Sequence, residues 1–156
     1  IIKKTGADPE ALHLEITENV FIKNSKKVAQ TFWELLNIGV ESEIDDFGSG
    51  YSSLKYLQDF PIRNIKIDRG FINTIQPGQN PEVIRAILAM VHNLDIQLTA
   101  EGIETEYQLN ELRRLGCHFG QGYLFSKPLD LAGAKQYLEE NIGRIQATGS
   151  PGSDNP

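Results

Sequence analysis

Acidic residues recur at regular places along this chain, and their company gives them chemical meaning. Glu15 and Glu18 close one apolar run, Asp45-Asp46 a second, Lys66 and Asp68 a third, and Glu101 and Glu104 a fourth; Gln121 stands beside a fifth. Carboxylates gathered within a few ångströms repel, so one or more must take up a proton unless a cation sits among them. All-oxygen ligation suits Mg2+, Mn2+ or Ca2+ and disfavours zinc or copper. Lys66 lies between Ile65 and Ile67, so strand alternation puts it on the face opposite to them. In a barrel interior it must meet carboxylate or phosphate, acting as counter-charge and water orienter. Other nucleophiles find little support. There is no G-x-S-x-G elbow, and Cys117 has no histidine–acid arrangement to activate it. His13, His92 and His118 show no metal spacing and read as structural or surface residues. Water, activated by a metal and a base, is what remains.

Each feature also has a plainer reading. Asp45-Asp46 before Phe47-Gly48 fits a solvated turn, and alternation lets only one of the two face a barrel mouth from the strand proper. Lys66 fits a snorkelling edge-strand lysine, and Glu104 an acid favoured at a helix N-terminus. Glu101 ends an apolar strand and is harder to explain that way. The loop Phe47-Gly48-Ser49-Gly50-Tyr51-Ser52-Ser53 has two glycines and suits a mobile phosphate-side lid. Asp46-Phe47-Gly48 imitates a kinase motif without its catalytic loop, and Gly48-x-Gly50 lacks the third glycine of a dinucleotide fingerprint.

The elements that must position these groups alternate β and α. Strands are expected over Leu12–Thr17, Val40–Asp45, Asn64–Asp68, Gln97–Ala100 and Gly122–Phe125. Helices are expected from Ser25 to a stop at Gly39, from an Asn80-Pro81 cap, from a Thr105/Gln108 capping box to Gly116, and from Asp130 to about Asn141. Such alternation implies a parallel sheet, doubly wound or closed as a barrel. Both place the ligand site at the C-terminal strand ends. Five strands against the barrel's eight leave roughly three to come before Ile1. Residues 1–142 are expected to form the folded part and the polar Gly/Ser/Pro-rich 143–156 a disordered tail.

At 156 residues the chain suits one domain. Its 40% hydrophobic and 23% charged composition is that of a globular protein, with no apolar run able to span a bilayer, so this segment is expected to make no direct membrane contact. Ile1-Ile2-Lys3-Lys4 lacks signal-peptide features and an initiator Met, which fits a chain cut from something longer. A net charge of −6 argues against a nucleic-acid polymer as partner. The single Cys117 suits a reducing compartment, so a cytoplasmic location is expected.

Five motifs, in order, are similar to those of bacterial EAL domains, the cyclic di-GMP-specific phosphodiesterases. They are Leu14-Glu15-Ile16-Thr17-Glu18, Asp45-Asp46-Phe47-Gly48-Ser49-Gly50-Tyr51-Ser52-Ser53-Leu54, Lys66-Ile67-Asp68-Arg69-Gly70-Phe71, Ala100-Glu101-Gly102-Ile103-Glu104-Thr105 and Gly120-Gln121-Gly122-Tyr123-Leu124-Phe125-Ser126-Lys127-Pro128. The resemblance implies a TIM-like (β/α) barrel, here a partial one of about five βα units, with a two-metal Mg2+ or Mn2+ site. It implies that Glu15, Asp45 and Asp46 ligate metal, that Lys66 holds the attacking water or the phosphate, and that Glu101 is the general base. Glu18 would brace the 46–53 loop, Glu104 would be a supporting acid, and Gln121 would complete the pocket, with Asp68, Arg69 and Pro128 lining the nucleotide. In-line attack of water on one phosphodiester would open cyclic di-GMP to linear pGpG. The family also implies an upstream sensory or diguanylate-cyclase-like module, a membrane anchor in some parents, and homodimers.

Two departures follow from the same resemblance. The family's Glu-x-Leu motif and a strand asparagine, both metal ligands, belong upstream of Ile1, so the fragment alone is expected to hydrolyse substrate poorly. Glu43 stands where the family carries a small or apolar residue, and the sequence names no partner for its charge. The alternatives are a catalytically silent EAL domain acting as a cyclic di-GMP receptor, and an oxygen-ligand hydrolase of another barrel family.

Overall fold

A computed structural model of the chain describes residues 2–18, 20, 25–48 and 55–148. The chain divides into two compact units, Ile1–Phe125 and Ser126–Pro156. In the first unit a short helix α1 (Ile2–Thr5) and a 3-10 turn (Pro9–Ala11) lead into β1 (His13–Thr17). Then follow α2 (Ser25–Asn37), β2 (Glu41–Phe47), α3 (Lys55–Asp59), β3 (Asn64–Ile67), α4 (Arg69–Ile72), α5 (Glu82–Asn93), β4 (Gln97–Glu101), α6 (Glu106–Arg114) and β5 (Phe119–Gln121).

The five strands pair in parallel and in sequence order, β1-β2-β3-β4-β5. A doubly wound sheet reverses direction at a switch point; this one does not, and it winds as a barrel does. Its two faces differ sharply. Ile44, Ile65 and Leu98 are register partners, as are Ile67 and Ala100, and all five are buried in the hydrophobic core. Helices close over that face with residues at helical spacing: Val28 and Phe32 from α2, and Ile84, Leu88 and Val91 from α5. The alternate strand residues, Glu43, Asp45, Asn64, Lys66, Thr99 and Glu101, occupy the opposite face, which is therefore almost wholly polar.

Four expected strands lie within two residues of their expected limits; the fifth does not. Pairing with β4 begins at Phe119 and ends at Gln121, and Gly122–Phe125 forms a turn in which Phe125 N–H bonds the Gly122 carbonyl. The high strand propensity of Tyr123-Leu124-Phe125 is overridden by Ile103, whose N–H donates to the Gln121 carbonyl and whose carbonyl accepts from Leu124 N–H. A side chain at Gly120 would lie 2.6 Å from Ile103 Cδ1, and one at Gly122 would collide with the Ile103 backbone, so both glycines serve this close approach. Just before β5 begins, His118 Nδ1 accepts the Leu98 N–H (3.1 Å) and the Cys117 thiol donates to the Leu98 carbonyl (3.6 Å). These two side chains take over the ladder where the strand is missing.

The capping box at Thr105/Gln108 forms as expected. Helix α5 starts one residue later than expected, with Pro81 at the N-cap position and Asn80 bonded to the Glu82 and Arg85 side chains instead. In the second unit, Asp130 caps α7 (Leu131–Thr148) by accepting from Gly133 N–H at 2.8 Å. That helix continues beyond the expected stop near Asn141, because the good helix formers Arg144, Gln146 and Ala147 outweigh Gly143. Residues 149–156 lie outside the described residues. No helix among the described residues is long and apolar enough to cross a membrane.

Ser42 shares the core face of β2, is 3% exposed, and its hydroxyl has no hydrogen-bond partner among the described residues. An unpaired buried hydroxyl is a net cost, so Ser42→Ala is expected to raise unfolding stability by about 1 kcal/mol, read by urea denaturation. A loss of similar size would show that the hydroxyl is paired.

Candidate active site

The polar face of the sheet is built in layers that climb the strands. The upper layer, at the C-terminal strand ends, holds Glu15, Asp45, Lys66 and Glu101 from β1 to β4. Lys66 is 6% exposed, and its Nζ lies 2.7 Å from Glu101 Oε1, 2.8 Å from Glu15 Oε1 and 3.7 Å from Asp45 Oδ1. Burial opposes the ammonium charge, but hydrogen bonds to Glu101 and then Glu15 outweigh it and hold the lysine's pKa above its ordinary value. The snorkelling-lysine reading is thereby excluded.

Strand alternation should have turned Asp45 and Asp46 to opposite faces. Instead the β2–β3 ladder steps from the pair Ile44/Ile65 to the pair Phe47/Ile67, so Asp45 and Asp46 together oppose Lys66. This bulge puts Asp46 at φ +53°, a left-handed conformation that non-glycine residues adopt sparingly. Carboxylate oxygens of Asp45, Asp46 and Glu101 consequently lie within 4.8 Å of one another. Ligand oxygens around an octahedral Mg2+ or Mn2+ stand about 3 to 4 Å apart, so small side-chain adjustments would let these three hold one such ion. Three carboxylates, Glu15, Asp45 and Glu101, lie within 3.7 Å of one ammonium and Asp46 stands beside two of them, a charge imbalance that also fits divalent-cation binding. Glu15 lies outside the three-carboxylate cluster and reaches it through Lys66.

The remaining expected residues divide. Asp46, Asp68, Arg69, Glu101, Glu104 and Gln121 line one cavity of about 280 Å3 beside the cluster. Asp68 caps α4 by accepting from Gly70 N–H at 2.8 Å. Glu18 is 6% exposed with neither carboxylate oxygen bonded among the described residues; of the 46–53 loop it was expected to brace, residues 49–53 lie outside them. Pro128 falls in the second unit, where it is exposed. Tyr123 and Gly102 also line the cavity and were not singled out from sequence. Gly102, at φ +74°, lies so close to Arg69 that a Cβ would stand 2.6 Å from the Arg69 Cβ, a contact that no sequence pattern announced.

The fold and site together define a (β/α)-barrel protein with a carboxylate-lined mouth. The family model of the EAL domain matches residues 1–128, and the chain belongs to that family. It is 44% identical over 138 residues to the cyclic di-GMP phosphodiesterase NbdA of Pseudomonas aeruginosa, a match covering 88% of this chain and 18% of NbdA. The solved phosphodiesterase of P. aeruginosa MucR, in complex with c-di-GMP, superposes with a TM-score of 0.79 at 38% identity, covering 85% of this chain and 54% of that one. A manganese/cyclic-di-GMP complex of Klebsiella pneumoniae BlrP1 superposes at 0.73 with 30% identity, covering 81% and 33% respectively. The fold is therefore the TIM-like barrel of EAL domains, and this chain holds part of it. It spans less than a fifth of the length of NbdA.

A raised lysine pKa stabilises the fold at every pH below the ordinary lysine value of about 10.4, and that contribution is lost as pH rises from there through the folded-state pKa. Thermal unfolding followed above pH 10 should show this alkaline loss in the parent, and Lys66→Met should remove part of it. Parallel pH profiles in the two proteins would mean that Lys66 is not held by its carboxylates.

Proposed function

We propose that the mouth formed by Glu15, Asp45, Asp46, Lys66 and Glu101 binds divalent cations, Mg2+ or Mn2+, and hydrolyses cyclic di-GMP to pGpG. The observation that carries this reading is the convergence of Asp45, Asp46 and Glu101 beside a lysine pinned by Glu101 and Glu15. The cyclic di-GMP phosphodiesterase NbdA and the cyclic di-GMP complexes of MucR and BlrP1 support the choice of substrate. So does the cavity, where a guanidinium (Arg69) and two side chains with hydrogen-bonding groups (Gln121, Tyr123) stand beside the acids.

Glu15, Asp45 and Asp46 would hold the cations, and bound cations would lower the charge on the phosphate and ease ionisation of water. Lys66 Nζ, fixed on the floor of the mouth, orients a phosphate oxygen or the attacking water. Glu101 takes the proton of that water as its oxygen bonds to phosphorus. The bond from phosphorus to the 3′ oxygen breaks, that oxygen gains a proton, and the ring opens to a 5′-phosphorylated linear dinucleotide. Glu104, Gln121, Asp68 and Arg69 shape the cavity around the nucleotide. Cytoplasmic location, a homodimer and an upstream sensory or diguanylate-cyclase-like domain belong to the same reading; MucR, a bifunctional diguanylate cyclase and cyclic di-GMP phosphodiesterase, supports the cyclase-like domain alone.

The test uses a complete EAL domain, of which this chain spans part. Glu101→Gln should lower kcat about 10²-fold or more while KM changes only a few-fold, read as pGpG release by chromatography. Activity near the parent would remove Glu101 as the base. Cyclic di-GMP binding without any pGpG release by the parent would instead establish a receptor, and equal turnover of unrelated phosphodiesters would establish a different hydrolase.

A further inference from the structure

A second polar layer lies directly beneath the first. His13 Nδ1 is 2.7 Å from Glu43 Oε1, and Asn64 Nδ2 donates to Glu43 Oε2 at 3.0 Å and to Thr99 Oγ1 at 2.9 Å. The network links β1, β2, β3 and β4 through residues two positions before Glu15, Asp45, Lys66 and Glu101. Asn64 and Thr99 are at least nine-tenths buried, and the Glu43 side chain is 14% exposed. The charge that had no partner in the sequence has two.

The place of this network matters more than its hydrogen bonds. Glu43 and Asn64 are register partners, Ile44 and Ile65 are the next pair, and the bulge that turns both aspartates to the mouth follows at once. The bulge interrupts the β2–β3 ladder alone, while β2 stays in register with β1 through Asp45. Just ahead of the break a carboxylate fastened at both oxygens to the strands on either side adds a side-chain tie to that backbone pairing. We propose that Glu43 is a positioning residue for the cation site: anchored by His13 and Asn64, it keeps β2 in the register from which Asp45 and Asp46 reach Glu101. This rests on the cation-site reading above.

The experiment is Mn2+ titration of the chain, with free Mn2+ followed by room-temperature electron paramagnetic resonance, in the parent, Asp45→Asn, Glu43→Gln and Glu43→Ala. Asp45→Asn removes a proposed ligand and should weaken binding. Glu43→Ala removes the anchor and should weaken Mn2+ binding about tenfold, the range for lost outer partners of metal ligands. Glu43→Gln still accepts from Asn64 and should stay within about twofold of the parent, a rescue that loss of charge alone would not give. Should Glu43→Ala fail to fold by circular dichroism, His13→Ala, at a half-exposed position, frees one Glu43 oxygen and should weaken binding severalfold. Parent-like affinity in folded Glu43→Ala overturns the proposal, as does Glu43→Gln binding as weakly as Glu43→Ala, or parent-like affinity in His13→Ala when it is the variant that decides. If the parent binds no better than Asp45→Asn, the cation-site reading fails and the proposal with it; if only the Glu43 and His13 variants match the parent, the proposal alone fails.

Discussion

Electrostatic imbalance at one rim governs this structure. Glu15, Asp45, Asp46 and Glu101 arrive from three different strands, and among the described residues Lys66 is the cation ion-paired with Glu15, Asp45 and Glu101. Like charges at such separations cost several kcal/mol in a partly desolvated setting unless they are offset. Lys66 offsets part of that cost, and its hydrogen bonds to Glu101 and Glu15 hold its pKa above the ordinary value. What it cannot offset is the remaining negative charge, and a divalent cation is the species that does so without protonating the acids. On the proposed reading the lysine and a cation would have complementary tasks: the lysine is permanent and fixes the floor of the mouth, and the cation would be exchangeable.

Geometry makes this arrangement possible at a local cost. A regular β2 would present one aspartate to the mouth and bury the other among the isoleucines of the core face. The bulge avoids that by placing Asp46 in a left-handed conformation, which costs on the order of 1 kcal/mol or more for a non-glycine residue. Neighbouring elements make the strain tolerable. Phe47 resumes the ladder opposite Ile67 and is buried, while the side-chain layer around Asn64 ties β2 to β3 and β4 just below. Apolar packing on one face of the sheet and polar bonding on the other therefore hold the same short segment from both sides.

Much of this was legible in the sequence. The acids at strand ends, the lysine between isoleucines and the capping box at Thr105 are local patterns whose physics does not depend on distant partners. The order of the strands, open between two windings from composition alone, follows from the EAL resemblance and is what the structure has. Three features were not legible, for one shared reason. The bulge at Asp46 has no glycine to mark it; the true fifth strand, Phe119–Gln121, contains a glycine that exists for Ile103; and the partners of Glu43 lie 30 residues before it and 21 after it. Each is set by a contact across strands, and local propensity pointed elsewhere, most plainly at Tyr123-Leu124-Phe125.

The most direct test of the central claim is a crystal structure of the chain grown with Mn2+, with anomalous diffraction collected at the manganese edge. The account predicts an anomalous peak among the carboxylates of Asp45, Asp46 and Glu101, with Lys66 still paired to Glu15 or Glu101. A mouth whose acids are satisfied by Lys66 and water alone, with manganese absent or bound only elsewhere on the surface, would contradict it.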